Sequence, residues 1–300
     1  MANARLIKKR VSSVNNIKKI TKALEMVAAS KVQKAQEKAV NAKPFAEKVY
    51  EMVQSLAGNI DPKLIPLLRM PEKEESSLYI VVSTNRGLAG SLNTNLIRTL
   101  TEHIILSGIK KKFFVTVGKK AISTVLESGK LIADFSEYDP QETSVPHIMK
   151  LLTESFLNEE VDSVYVIYNE FLTALTQEPR VKKLLPIVPN ELTSEREFEI
   201  LGEKSAVEKK SAISPYNFEP TAELVLTQLL PFYLEVQLTE VLLEAEASEH
   251  SARMVSMKNA SENAENLSFN LSLEYNKARQ SAITTEINDI VTARISLKKQ

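Results

Sequence analysis

The sequence has no cysteine, no tryptophan, three histidines and only seven glycines in 300 residues. Without cysteine there is no disulfide framework, no thiol nucleophile, no thiolate zinc site and no iron–sulfur cluster. Three histidines leave little for a multi-histidine metal site. Seven glycines fall far below the usual share of roughly 7%, so tight turns are few and helix is expected to dominate. Net charge is lacking too: 38 Lys and Arg offset 38 Asp and Glu. That excludes a uniformly basic nucleic-acid binder, and no nucleic-acid partner is expected. No stretch reaches 18 apolar residues, so nothing reads as a transmembrane span. Residues 1–16 are basic but lack the apolar core of a signal peptide. These absences point to a reducing, cytosolic setting.

Glycine and proline are unevenly spread. Residues 1–43 contain neither, 203–300 contain no glycine and 232–300 no proline. Five of the seven glycines (Gly87, Gly90, Gly108, Gly118 and Gly129) lie in the middle of the chain. The N-terminal segment carries apolar residues at Ile7, Val11, Val14, Ile17, Ile20, Leu24 and Val27, then Val32, Ala35 and Ala39. Steps of three and four make one stripe on a helix. A helix over 3–56 would run ~80 Å at 1.5 Å per residue, and so long a helix needs a partner for its stripe. The C-terminal segment offers one. It predicts a short helix near 220–229 and, with Pro231 in a first turn, a second helix reaching about Leu297. Small residues over 245–264 permit close approach.

Charge fits such a pairing. Residues 1–50 hold 12 basic and 3 acidic residues, whereas 223–274 hold 9 acidic and 2 basic. Either these are two solvated faces or they are complementary halves of one hairpin. In between, Leu78–Val82, Lys112–Val117, residues near 131–135 and Val164–Tyr168 read as strands, with an edge strand over Val181–Val188. Helices are expected over 88–106, 119–128 and 145–157. Strand and helix alternate, which predicts an α/β domain with a mainly parallel sheet. The fold class is therefore a long antiparallel coiled coil of the two chain ends plus a central Rossmann-like α/β domain. Its divisions are an N-terminal helix 1–58, the α/β domain 76–190, a polar connecting loop 191–219 and a C-terminal helix 220–300.

Chemistry is sparse. Gly118-Lys119-Lys120 lacks the spacing of a phosphate loop. Gly87-Leu88-Ala89-Gly90 follows a strand where α/β sheets often receive phosphates, but Asn85 occupies the first glycine position of that motif. The turn reads first as a tight strand-to-helix connection, then as a protein contact, and last as a nucleotide site. Glu246 and His250 have i, i+4 spacing, yet one carboxylate and one imidazole do not make a metal site. No cofactor, metal or catalytic residue is expected.

Four motifs carry a resemblance. Residues Lys19 to Lys31 (KITKALEMVAASK), Ala247 to Ala260 (ASEHSARMVSMKNA), Tyr275 to Gln280 (YNKARQ) with Ile283 to Ile287 (ITTEI), and Ser83 to Asn93 (STNRGLAGSLN) resemble the gamma subunit family of F-type ATP synthases. Thr84-Asn85 stands for the family's Asp, Ala89 for its Cys and Ser91 for its second Gly, and Thr292–Ile295 replaces a Gly-Ala run. The cysteine-bearing regulatory segment of the chloroplast form is missing.

The resemblance implies a non-catalytic rotor subunit of the central stalk. Rotation of its two-helix shaft would drive an alpha/beta ring through its ATP-binding states, and its foot would meet the epsilon subunit and the membrane c-ring. It implies alpha/beta ring contacts at Lys22, Arg279, Gln280, Thr284 and Glu286, and at Ile290, Val291, Ile295 and Leu297 near the tip. It implies foot contacts at Arg86, Gly87, Asn93, Tyr216 and Glu219. The expected place is the cytoplasmic face of a bacterial inner membrane, held peripherally. Two other readings stay open: an α/β enzyme with helical arms that binds a nucleotide unaided, and a coiled-coil scaffold that does not rotate.

Overall fold

Long breaker-free segments at both ends become long helices. The computed structural model describes residues 2–57, 65–187, 197–200, 203–206 and 219–297. Helix α1 runs Ala2–Ala57, with Pro44 inside it. After a 3₁₀ turn at Pro66–Leu68 come β1 (Ser76–Val82), α2 (Leu92–Ser107), β2 (Lys111–Val117) and α3 (Ile122–Ser128). Then follow β3 (Lys130–Asp134), α4 (Val145–Leu157), β4 (Ser163–Phe171) and β5 (Gln177–Leu185). A small antiparallel hairpin, β6 (Glu197–Ile200) with β7 (Glu203–Ala206), lies inside the stretch expected to be loop. The last helix, α5, spans Ala222–Leu297.

The chain divides into two compact units, residues 1–28 with 254–300, and residues 29–253. In the larger unit the sheet order is β3-β2-β1-β4-β5, parallel except for β5, which runs antiparallel at one edge. Alternation along the strands separates two faces. Leu78, Ile80 and Val82 point to a core shared with α4, residues 39–56 of α1 and residues 226–245 of α5. Tyr79 and Val81 point to the core under α2 and α3. Segment 233–252 of α5 is consequently buried almost all round, which is why its sequence shows no clear one-sided stripe.

The two helices pair antiparallel within each unit. In the larger one, Ala35 packs with Ala247 and Phe171. Lys38 lies 3.7 Å from Glu246 and 2.6 Å from Glu142, and the Tyr50 ring meets Tyr233 edge-on at 4.9 Å. Burial draws the Lys38 ammonium down, but its two carboxylate partners hold it above its ordinary value. In the smaller unit, Lys18 pairs with Glu265 at 2.7 Å and Ser268 donates to Asn15 at 2.7 Å.

The seam corrects the expected stripe. Covered positions on α1 alternate strictly by three and four, through Val14, Lys18, Thr21, Glu25, Ala28, Val32, Ala35 and Ala39 to Leu56. That is a heptad repeat. Ile17, Ile20, Leu24 and Val27, expected inside, lie on the open face. An apolar stripe drifting at three-residue steps cannot stay on a heptad seam, and the partner helix selects the heptad. On α5 the matching row runs Met257, Ser261, Ala264, Ser268, Leu271, Tyr275, Ala278 and Ala282. Every described side chain from Ile283 to Arg294 is exposed.

Other differences from expectation are local. Helix α5 does not break into two at Pro231; it runs through. A helix-interior proline costs about 3 kcal/mol, but Leu226 and Leu230 before it and Tyr233 and Leu234 after it are all locked in the core. Helix α2 starts at Leu92 rather than near 88, because Leu88 and Gly90 adopt left-handed φ of 66° and 60°. Residues 119–121 form a 3₁₀ turn ahead of α3. Strand β5 begins at Gln177, four residues earlier than expected, since the polar Gln-Glu-Pro-Arg stretch pairs with β4 across a short turn.

Gly118 ends β2 at φ +100°, and a Cβ there would sit 2.0 Å from the Ser83 carbonyl oxygen. Gly118→Ala should cost about 3 kcal/mol or more, read by chemical denaturation of the purified chain. A loss below about 1 kcal/mol would show that this close approach is not a constraint.

Candidate functional site

The carboxyl ends of the parallel strands are where an open α/β sheet takes ligands, at the point where strand order reverses. Here that point lies between β1 and β4. Its groups are already engaged. The Ala121 amide donates to Ser83 Oγ at 3.1 Å, the Lys119 amide to Asn85 Oδ1 at 3.2 Å and the Lys120 amide to the Thr84 carbonyl at 3.1 Å. The Thr84 amide donates to Asn93 Oδ1 at 3.2 Å, and Asn93 Nδ2 returns a bond to Thr84 Oγ1 at 2.8 Å. A phosphate would need such amides unpaired.

The crevice receives the chain's own helix α5 instead. Arg253 reaches the Arg86 carbonyl at 3.3 Å and the Gly87 carbonyl at 3.4 Å, and is steered by Glu249 at 2.7 Å. Ser251 Oγ donates to the Ala174 carbonyl, in the β4–β5 turn, at 2.7 Å. Ala252 packs with Ala89 and Leu92. Loops leaving β1 and β4 thus fasten on one turn of α5. The turn that looks like half a phosphate motif thus offers its carbonyls to a guanidinium rather than its amides to an anion; Gly90 is there for its left-handed φ of 60°, whereas a Cβ at Gly87 would meet nothing within 4 Å.

The expected contact residues fall into separate groups. Arg86, Gly87 and Asn93 share the β1 loop, the first two through their carbonyls and the third as its brace. Glu219 is exposed just ahead of α5, and Tyr216 lies outside the described residues. Lys22 is exposed on α1 and pairs with Glu25 at 3.0 Å. Arg279, Gln280, Thr284, Glu286, Ile290 and Val291 are all exposed on α5, and Thr284 Oγ1 caps the Gln280 carbonyl at 3.0 Å. Lys18 meets Glu265, so Lys22 stands level with Ser261, ~27 Å along the helix from Arg279 at 1.5 Å per residue. The side chains of Ile295 and Leu297 are outside the described set.

Sequence reasoning missed two features. Arg253 and Ser251 as fasteners were hidden because each bonds a main-chain carbonyl, which leaves no side-chain pattern. The open apolar face includes Ile17, Ile20, Leu24 and Val27, which the stripe places in the core, and Met26 beside them; strict heptad counting through Thr21 and Ala28 finds it. His250 Nε2 lies 3.6 Å from Glu246, whose carboxyl is held below its usual range first by that imidazole, against burial, and then by Lys38. Among the described residues no group of three possible metal ligands gathers.

A family model described as ATP synthase matches residues 3–297. The ATP synthase gamma chain of Methylacidiphilum infernorum is 39% identical over 99% of this chain and 100% of its own length. The chain belongs to the ATP synthase gamma chain family. Two solved chains share the fold, both from the Euglena gracilis mitochondrial ATP synthase. One, in the rotor, has a TM-score of 0.62 at 21% identity, covering 94% of this chain and 99% of that one. The other, in an OSCP/F1/c-ring assembly, has a TM-score of 0.65 at 19% identity, covering 99% and 95%. For a gamma chain, a filled switch-point crevice means that the α/β domain serves as a mount for helix α5. No described helix is long and apolar enough to cross a membrane.

Arg253→Ala removes the guanidinium from both loop carbonyls and from Glu249. It should cost about 2 kcal/mol and raise amide exchange in residues 84–92. Arg253→Lys should not restore protection, because one ammonium cannot reproduce the planar fork. Unchanged exchange in that loop would exclude the fastening role.

Proposed function

We propose that this gamma chain is the central-stalk rotor subunit of its ATP synthase. It transmits ion-driven rotation of a membrane ring to an alpha/beta hexamer, or the reverse during ATP hydrolysis. The supporting observation is the outer surface of the smaller unit. Beyond its seam, α1 exposes Ile17, Ile20, Leu24, Met26 and Val27, and α5 exposes Leu267, Phe269, Leu273, Ile283, Ile287, Ile290 and Val291. So much exposed apolar surface on a soluble helix pair calls for surrounding protein. The polar residues among them, Lys22, Arg279, Gln280, Thr284 and Glu286, then meet the loops of the ring, and the lone helical end from Ile283 onward enters an apolar sleeve.

The mechanism is population shift. A helix pair with different side chains on its faces contacts three chemically equal neighbours unequally. Each orientation stabilises a different set of open and closed neighbours by differential contact energy. The ATP chemistry belongs to those neighbours, and this chain contributes no catalytic residue and no cofactor. The functional segments are 1–58 and 220–300 as the shaft and 76–190 as the foot, with 191–219 connecting them. Arg86, Gly87, Asn93, Tyr216 and Glu219 face the epsilon subunit and the c-ring. The complex holds the chain peripherally at the cytoplasmic face of a bacterial inner membrane.

Replacing Arg279 and Gln280 together by alanine should lower coupled ATP hydrolysis of the reconstituted alpha/beta/gamma complex about tenfold. The isolated chain's stability should move by less than about 0.5 kcal/mol, as expected for exposed positions. Full hydrolysis with normal assembly would reject these contacts. Failure of the wild-type chain to assemble with alpha and beta subunits would reject the rotor reading itself.

A further inference from the structure

One buried carboxylate has no counterpart in any of the roles above. Glu244 lies on α5 in the larger unit, 7% exposed, facing the edge of the sheet formed by β4 and β5. Its Oε2 atom is buried with no hydrogen-bond partner among the described residues. Tyr168 and Glu170 face it from β4, Lys182 and Arg180 from β5, and Glu240 from its own helix. On the α1 side, Tyr50 donates to Glu240 at 3.2 Å, and Lys43 stands level with Glu240 in the helix register. The cation nearest the cluster's other buried acid is taken: Arg180 forms a short ion pair with Glu170. Glu244 forms no ion pair among the described residues and has two like-charged neighbours.

A carboxylate in such a place has two ways to exist. It can stay ionised and bear the full desolvation cost, or it can bind a proton. Burial pushes the Glu244 carboxyl up first, and the negative charges of Glu170 and Glu240 add to that against the pull of Lys182 and Tyr168, to about 8.

We propose that Glu244 is a proton-binding switch in the joint between α5 and the β4–β5 edge, neutral when the joint is closed, and that losing its proton loosens β5 from α5. The Glu244 carboxyl takes one proton from solvent as the joint closes and returns it as the joint opens; no other bond changes. This rests on the chain's own side chains and is independent of the rotor reading.

The sign follows from linkage. A carboxyl raised in the folded state binds more protons folded than unfolded, so folding weakens as pH rises from the unfolded value near 4.5 through the folded one near 8. One proton changes the folding equilibrium up to tenfold per pH unit in that window. Glu244→Gln mimics the neutral acid in shape. In the purified full chain it should match wild type at pH 5 and become progressively more stable than wild type toward pH 8.5, with slower amide exchange in residues 177–185 and 237–248 at the higher pH.

Parallel pH profiles for the two proteins, or a variant less stable at every pH, would overturn the proposal. A direct readout does not depend on how well the variant folds. Wild-type protein in D₂O at neutral pD should show the infrared carbonyl band of a buried protonated carboxyl, fading above pD 8. Absence of that band at neutral pD also overturns it.

Discussion

The heptad seam between α1 and α5 is the contact on which the rest depends. Neither helix has an apolar face wide enough to be stable alone, and long isolated helices of mixed composition are marginal in water. What the seam lacks in bulk it gains in closeness. Ala28, Ala35, Ala39 and Ala46 on one side and Ala247 and Ala264 on the other are all buried, so the backbones approach and small side chains interlock. In the smaller unit the seam is partly polar, with Lys18, Thr21 and Glu25 facing it. Those residues add little stability, but Lys18 with Glu265 and Asn15 with Ser268 define which turn meets which.

The α/β domain is an ordinary doubly wound sheet put to a mechanical use. Its switch point, which in other proteins of this architecture receives a ligand, holds a turn of the chain's own helix. The same strand-end loops supply the fasteners, and both bond main-chain carbonyls. Such bonds tolerate many side chains in the loops, provided the backbone keeps its path. The left-handed Leu88 and Gly90 and the braced Asn93 keep that path at the β1 end. A crevice closed on the chain's own helix ties α5 to the sheet at two loops.

Polar groups buried around α5 divide into two kinds. Lys38, Glu142, Glu246 and His250 form an ion-paired network between α1, α5 and the turn at residues 141–144, with basic groups on either side of Glu246 although its Oε2 accepts no hydrogen bond among the described residues. Glu244 sits in a poorer setting, where burial and like charge act together on one carboxyl. Both kinds occur because segment 233–252 is buried almost all round, and a helix so enclosed has little wet face left for its polar residues.

Much of this was legible in the residues themselves. The absence of glycine and proline from the ends, the opposite charges of the two terminal segments and the alternation of apolar strands with helical stretches are local signals, and local signals dictate local structure. They gave the two terminal helices, β1, β2, β4 and α4 with near-final boundaries. The family motifs were legible for the same reason, as fixed spacings of particular side chains. Which face of α1 lies inside was decided by tertiary structure, because Ile17 and Thr21 compete for the seam and only the partner helix's heptad row determines the winner. The continuity of α5 through Pro231 came from the core that holds Leu230 and Tyr233. The closure of the switch-point crevice by Arg253 and the setting of Glu244 against β4 and β5 arise between residues more than 60 positions apart in the chain, a distance over which no spacing pattern carries information.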